Sequence, residues 1–275
     1  MHDNWLNVAI VATVLGAVEG LTEYVPVSST GHLVMADDLL GFRQLVGELK
    51  AKTFEIFIQL GAIMAVVTAY PRRFSRLLFI RSNSGFAGLH GLGLLLLTSL
   101  PAGLLGVVAR VPIRDHLFEP LTVAVGFAVG ALWILAVEWR SPRVRREGLD
   151  ALRWTDALAI GLFQCFALWP GMSRSSSTIL GAMMLGIERR TAVKYSFFSA
   201  VPILLAGSLY DLYESRSFLG AADVPLFTTG LAVSYLFAWF SVRFLMHFLS
   251  HHTLVLFGWY RLAVAAAAFL WAMRG

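Results

Sequence analysis

The sequence predicts an all-α polytopic membrane protein, an inverted repeat of two halves, each a re-entrant helix hairpin plus three transmembrane helices. Composition is the first ground. Of 275 residues, 57% are hydrophobic and only 14% charged, with a mean hydropathy of +0.71, whereas soluble domains carry about 25% charged residues. The second ground is the recurrence of apolar runs of membrane-spanning length. The third is a pair of polar, proline-broken stretches at corresponding places in the two halves. The chain therefore reads as one integral membrane domain over 1–275, with repeat 1 at about 1–140 and repeat 2 at about 154–275.

Taken in order, residues 5–24 form an apolar helix that Pro26 breaks before it can span cleanly, and a short helix follows over 32–40, ended by Gly41. Two short pieces around a polar break predict a re-entrant hairpin, because non-helical backbone at membrane depth needs protein or a water-filled cavity around it. Spans follow at 53–70, closed by Pro71 with Arg72, Arg73 and Arg76, then at 86–109 and 120–138. The polar segment 139–153 holds Arg140, Arg143, Arg145, Arg146 and Arg153 and marks the midpoint. Beyond it, G-L-F-Q-C-F-A-L-W-P-G-M-S-R-S, from Gly161 to Ser175, repeats the order of features of G-A-V-E-G-L-T-E-Y-V-P-V-S-S-T-G-H, from Gly16 to His32. Gly16 and Gly161 lead, Glu19 and Gln164 follow three residues later, Pro26 and Pro170 break the helix, and Ser29 and Ser173 come three residues after each proline. Three further spans lie at 192–212, 225–248 and 253–273.

Three crossings per half invert the second half relative to the first, an arrangement known in transporters. The loops near 71–84, 139–155, 187–194 and 243–252 hold thirteen Lys and Arg residues, against seven for the two termini and the loops near 43–52, 110–119 and 213–224. By the positive-inside rule both termini face away from the cytoplasm, and the two hairpins meet near the midplane. The same rule accounts for the basic excess, and no basic patch with interleaved aromatics argues for nucleic acid. Cys165 is the only cysteine, so there is no intrachain disulfide and no thiolate metal site. A cleaved signal peptide fits poorly, since Asp3 precedes the first apolar run and Glu19 and Glu23 interrupt it.

Chemistry concentrates at the two breaks. Glu19 and Glu23, four residues apart, share one helical face, where a single ionised side chain costs about 3 kcal/mol. They could share a proton, pair with Arg174, or bind a divalent cation such as Mg²⁺. Ser28, Ser29, Thr30 and Gly31 at one break, and Ser173, Arg174, Ser175, Ser176, Ser177 and Thr178 at the other, present hydroxyls and free helix N-termini suited to an anion. Arg174 adds a planar fork matched to phosphate oxygens. His32, three residues after Ser29, could lie beside that hydroxyl as a base, or it could bind phosphate or cap the helix. Glu55 and Gln59 on the next span, and Gln164 in the second half, are placed to support the site from behind. His247, His251 and His252 read as interfacial, and Arg261 is an intramembrane charge with no partner evident in the sequence.

E-G-L-T-E-Y-V-P-V-S-S-T-G-H and P-G-M-S-R-S-S-S-T resemble the two signatures of the bacitracin-resistance, or undecaprenyl-diphosphate phosphatase, family. The resemblance runs the whole length and includes K-T-F-E-I-F-I-Q-L-G from Lys52 to Gly61. It implies an enzyme of the bacterial inner membrane that removes one phosphate from a polyprenyl diphosphate, regenerating the lipid carrier of cell-wall synthesis. It also implies a homodimer, a divalent cation (Mg²⁺ or Ca²⁺), and functional roles for Glu19, Glu23, Ser29, His32 and Arg174. One departure is Ser176, where the family often has glycine, which would alter the backbone if that glycine has positive φ.

The resulting expectation is a phosphatase in which Ser29 attacks phosphorus with His32 as base, and Glu23 and Arg174 complete the catalytic set. Ser28, Thr30, Ser173, Ser175 and Thr178 would hold phosphate, and Glu19 and Glu23 the cation. Direct attack by water is a variant. The rival is a secondary transporter or lipid flippase, since broken helices meeting at the midplane also suit transport.

Overall fold

The computed structural model describes residues 2–79, 85–117 and 119–273; Arg81 and Arg274, counted in the charge balance, lie outside them. The described chain is helical, and six helices in it are long and apolar enough to cross a membrane. Each of the six predicted spans has a counterpart among them.

The chain opens with α1 (His2–Thr22), and α2 (Ser29–Leu40) follows the break. The second helix begins three residues before the predicted start because Ser28 caps it, accepting from the Gly31 N–H. Gly41, in left-handed conformation, ends it as expected. A short α3 (Phe42–Val46) leads to α4 (Glu48–Phe57) and α5 (Gln59–Ala69), which together make the first span, longer at its start than 53–70. Pro71 does not simply close this span. Its lack of an N–H is harmless at a first helical position, and it opens α6 (Pro71–Leu78), which buries Leu77 and leaves Arg72 and Arg76 in the open. The spans α7 (Gly88–Val108) and α9 (Pro120–Arg140) flank α8 (Arg110–Leu117), a helix where a loop was expected. The second half holds α10 (Trp154–Gln164), α11 (Arg174–Met184), α12 (Arg189–Ser215), α13 (Val224–Phe248) and α14 (Val255–Ala272).

Glycine lets the central helices approach closely, the usual device where lipid supplies no hydrophobic drive between helices. A Cβ on Gly16 would lie 2.7 Å from the Gly230 carbonyl, and one on Gly20 would lie 2.5 Å from that of Ser234, so α1 lies directly along α13. Gly161 brings α10 onto α7 in the same way, 2.6 Å from the Thr98 carbonyl. Behind these seams Tyr24 is fully buried, edge-on to Phe197, and donates to the Ala62 carbonyl at 2.9 Å.

Polar clamps hold the ends of the bundle. Arg189 forms a bidentate pair with Glu138, which also accepts the Leu254 N–H at 2.8 Å and so joins α12, α9 and the start of α14. Asp150, between α9 and α10, accepts from the Phe86 N–H at 2.7 Å and from Arg73. Partial burial alone would raise its carboxyl, but these donors outweigh it and hold Asp150 below the usual range.

Candidate active site

Glu23 continues the last turn of α1, its N–H donating to the Glu19 carbonyl at 2.9 Å, so the two carboxylates stay one turn apart. After Pro26 the backbone reverses at Ser28, whose φ of 74° is rare for a residue with a side chain and costs of order 1–3 kcal/mol. The second break repeats this device. Ser173 also has φ 74°, and its hydroxyl accepts from the Ser176 N–H at 3.2 Å to cap α11. The structural counterpart of Ser173 is thus Ser28, one residue earlier than the spacing from proline predicts. Ser176 itself lies inside α11 without positive φ, so its replacement of a glycine leaves the backbone undistorted.

The two breaks are bonded to each other. Ser175 donates to the Val25 carbonyl at 3.0 Å and Ser176 to that of Pro26 at 2.9 Å. Arg261, fully buried on α14, completes the junction. Its guanidinium reaches the carbonyls of Pro26 (3.3 Å), Met172 (3.1 Å), Gly171 (2.7 Å) and Gly126 (3.2 Å), and Ser176 Oγ at 2.7 Å. The partners that its sequence position left unnamed are four backbone carbonyls and one hydroxyl, not a carboxylate.

Facing this junction is a cavity of about 250 Å³ whose wall includes Glu23, Ser28, Ser29, Thr30, Gln59, Ser173 and Arg174. Ser29 donates its hydroxyl proton to Glu23 Oε2 at 2.5 Å. The other carboxylate oxygen, Oε1, takes a hydrogen bond from Arg174 Nη2 at 2.8 Å, while Nη1 bonds the carbonyl and hydroxyl of Ser196 at 2.8 and 3.2 Å. Charge-assisted bonds of this kind are the strong ones, and they fix the Ser29–Glu23–Arg174 line across the two breaks.

Other expected residues stand elsewhere. His32 is not hydrogen-bonded to Ser29. Its Nδ1 lies 2.7 Å from the Ser28 carbonyl, which can only accept, so the proton is on Nδ1. Nε2 is left to accept from the Tyr260 hydroxyl at 2.8 Å, with the two rings parallel to within 4°. Thr178 lies behind Arg174, its hydroxyl 2.7 Å from that of Ser196, and the Ser175 hydroxyl is spent on Val25. Gln164 bonds the Thr98 carbonyl at 3.3 Å, and Glu55 pairs loosely with Arg43 at 3.9 Å; neither is part of the cavity wall. Tyr260 and Ser196 were not anticipated. The adjacency of Tyr260 to the intramembrane Arg261 was a usable signal, whereas Ser196 sits in an ordinary apolar span.

Among the described residues no group of three or more His, Cys, Asp or Glu side chains gathers to ligate a metal. Glu19, which is not part of the cavity wall, is the carboxylate left open to a cation or to a proton shared with Glu23. It is fully buried next to Glu23, and neither of its carboxylate oxygens has a hydrogen-bond donor. An ionised carboxylate left so is costly, and a hard cation held by one or two carboxylates together with phosphate oxygens would satisfy it.

Residues 12–267 match the family described as bacitracin resistance protein BacA. Among curated relatives, the undecaprenyl-diphosphatase of Nitratidesulfovibrio vulgaris (strain Hildenborough) is 52% identical over 256 residues, covering 93% of this chain and 95% of that protein. Those of Oleidesulfovibrio alaskensis and Acidovorax ebreus are 49% and 44% identical, covering 95% and 96% of this chain and 97% and 95% of their own lengths.

Proposed function

Because the chain belongs to the bacitracin resistance protein BacA family, we propose that it hydrolyses undecaprenyl diphosphate to undecaprenyl phosphate and inorganic phosphate, recycling the lipid carrier of cell-wall synthesis. The observation that carries the mechanism is the 2.5 Å hydrogen bond from Ser29 to Glu23 inside a cavity walled by Arg174 and two helix N-termini. Ser29 Oγ attacks the terminal phosphorus as Glu23 takes its proton, the bridging P–O bond breaks, and undecaprenyl phosphate leaves. Glu23 passes that proton to the departing phosphate oxygen. Water then attacks the phosphoserine phosphorus as Glu23 takes a proton from it, the Oγ–P bond breaks, Oγ recovers the proton from Glu23, and inorganic phosphate leaves. Arg174 and the amides at the starts of α2 and α11 stabilise charge on the transferring phosphoryl group. Glu19 and Glu23 would hold a divalent cation, Mg²⁺ or Ca²⁺, which supplies further neutralisation of phosphate charge. His32 orients the Ser28 carbonyl and hence the cap of α2, a supporting part in place of the base anticipated from its spacing.

The same proposal includes the finer architecture. Two inverted halves with re-entrant hairpins are supported by the twin caps at Ser28 and Ser173, and by Gly16 and Gly161 seating α1 on α13 and α10 on α7. The basic-residue imbalance supports an inner-membrane protein with both termini and the active site facing the periplasm. The family resemblance supports a homodimer. The cavity admits a diphosphate headgroup, so the prenyl tail lies outside it among the helices.

The decisive experiment is phosphate release from undecaprenyl diphosphate by purified protein in detergent, where no transport is possible. We expect turnover, abolition by chelator with recovery on adding Mg²⁺ or Ca²⁺, and ³²P trapped on Ser29 at acid quench. Turnover without a trapped phosphoserine would favour direct attack by water, and no turnover at all would favour a transporter.

A further inference from the structure

A second polar cavity, of about 620 Å³, opens between the segment joining α9 to α10 and the end of α11. Arg143, Arg145 and Arg146 contribute to its wall, together with Asp156 of α10 and with Met184 and Leu185 at the end of α11. The arginines are held on fixed backbone. The N–H groups of Arg145 and Arg146 both donate to the Gly186 carbonyl, at 2.7 and 3.1 Å, and Glu188 N–H donates to the Arg146 carbonyl at 2.9 Å. Gly186, at φ 82°, leaves room for this close approach, since a Cβ there would lie 3.0 Å from the Arg143 carbonyl.

The charges do not cancel. Arg146 pairs with Asp156 at 2.8 Å, but Arg143 and Arg145 are exposed and have no ion-pair partner among the described residues. The groove also stands at a definite level. Trp139, 87% exposed in the last turn of α9, and Trp154, 47% exposed at the start of α10, flank it, and exposed tryptophans at span ends mark the bilayer–water interface. Met184, 48% exposed, continues the cavity as an apolar wall. Two free guanidiniums on a rigid backbone at headgroup level, backed by an apolar wall, match a phosphodiester that carries acyl chains. We propose that this groove binds the headgroup of an anionic phospholipid, with its phosphate between Arg143 and Arg145 and a chain along Met184. The proposal stands apart from the phosphatase reading, since no residue of the Ser29 cavity takes part.

The test is native mass spectrometry of the detergent-purified protein titrated with phosphatidylglycerol or phosphatidylcholine. The wild type, Arg143→Gln/Arg145→Gln, and the charge-matched Arg72→Gln/Arg76→Gln are compared. Wild type and the α6 double variant should retain phosphatidylglycerol in preference to phosphatidylcholine. The groove variant should bind phosphatidylglycerol more weakly, by about fivefold for each arginine lost, with phosphate release unchanged as evidence of folding. Equal losses in the two double variants would reduce the effect to bulk charge, and an absence of lipid preference in the wild type would remove the site. Complete displacement of the lipid by millimolar inorganic phosphate would make a free oxyanion the ligand and overturn the lipid assignment.

Discussion

Glu23 is the residue on which three roles converge: it accepts the Ser29 proton, pairs with Arg174, and stands one turn from the unpartnered Glu19. Groups acting as one unit give non-additive losses. Ser29→Ala and Glu23→Gln should therefore each remove most activity while the double variant loses little more, read as kcat/KM for undecaprenyl diphosphate. Losses that multiply would separate nucleophile from base. Arg174 bridges Glu23 and Ser196 through separate nitrogens of one planar fork, a geometry lysine cannot copy. Arg174→Lys should fold normally yet lose roughly ten- to a hundred-fold in kcat, about 1.4 to 2.7 kcal/mol; a near-wild-type rate would leave Arg174 a structural counter-ion. Spacing alone revealed the E-x-x-x-E pair and the serine–arginine break, because helical periodicity acts over one turn. It did not reveal the bond of His32 to Tyr260, because Tyr260 lies 228 residues away in sequence, and no local rule encodes such a contact.

The helix breaks are elements in their own right, and Arg261 is what joins them. It offers its charge to carbonyls at Pro26, Gly171 and Met172, where both breaks have lost helical hydrogen bonding, and to Gly126 on α9. Removing it would strand these acceptors at about 1–3 kcal/mol each where buried. The space is tight, since a Cβ on Gly130 would lie 1.8 Å from Arg261 Nη2. Gly130→Ala, which leaves every charge in place, should therefore reproduce much of the defect of Arg261→Met. Both should lower the thermal midpoint and raise KM through misplaced N-termini, whereas Gly148→Ala, where a Cβ meets no neighbour but φ is positive, should cost only backbone strain. Wild-type KM and stability in Gly130→Ala would mean that Arg261 is merely accommodated. The long apolar spans were legible from hydropathy, which integrates over many residues. The short helices α6 and α8 were not, because each is set by a few residues at a span end.

At the scale of the whole molecule, the two halves interlock. The first helix of each half lies against a span of the other half, α1 on α13 and α10 on α7, at glycine seams. In the inverted layout proposed above, the two breaks enter from opposite faces, as the odd number of crossings per half requires, and the basic-residue imbalance is an independent argument for it. Ser217 and Ser250, both exposed and on either side of α13, should then lie on opposite sides of the membrane. Single cysteines at these positions can be placed in a Cys165→Ser background, where serine can keep the contact of Cys165 with the Gly161 carbonyl at 3.5 Å. In intact cells an impermeant maleimide should label Ser217→Cys and spare Ser250→Cys, and permeabilisation should expose the second. Labelling of Ser250→Cys alone would reverse the orientation and place the Ser29 cavity on the cytoplasmic side. Labelling of both from outside would mean that α13 does not cross, and the inverted layout would fall with it.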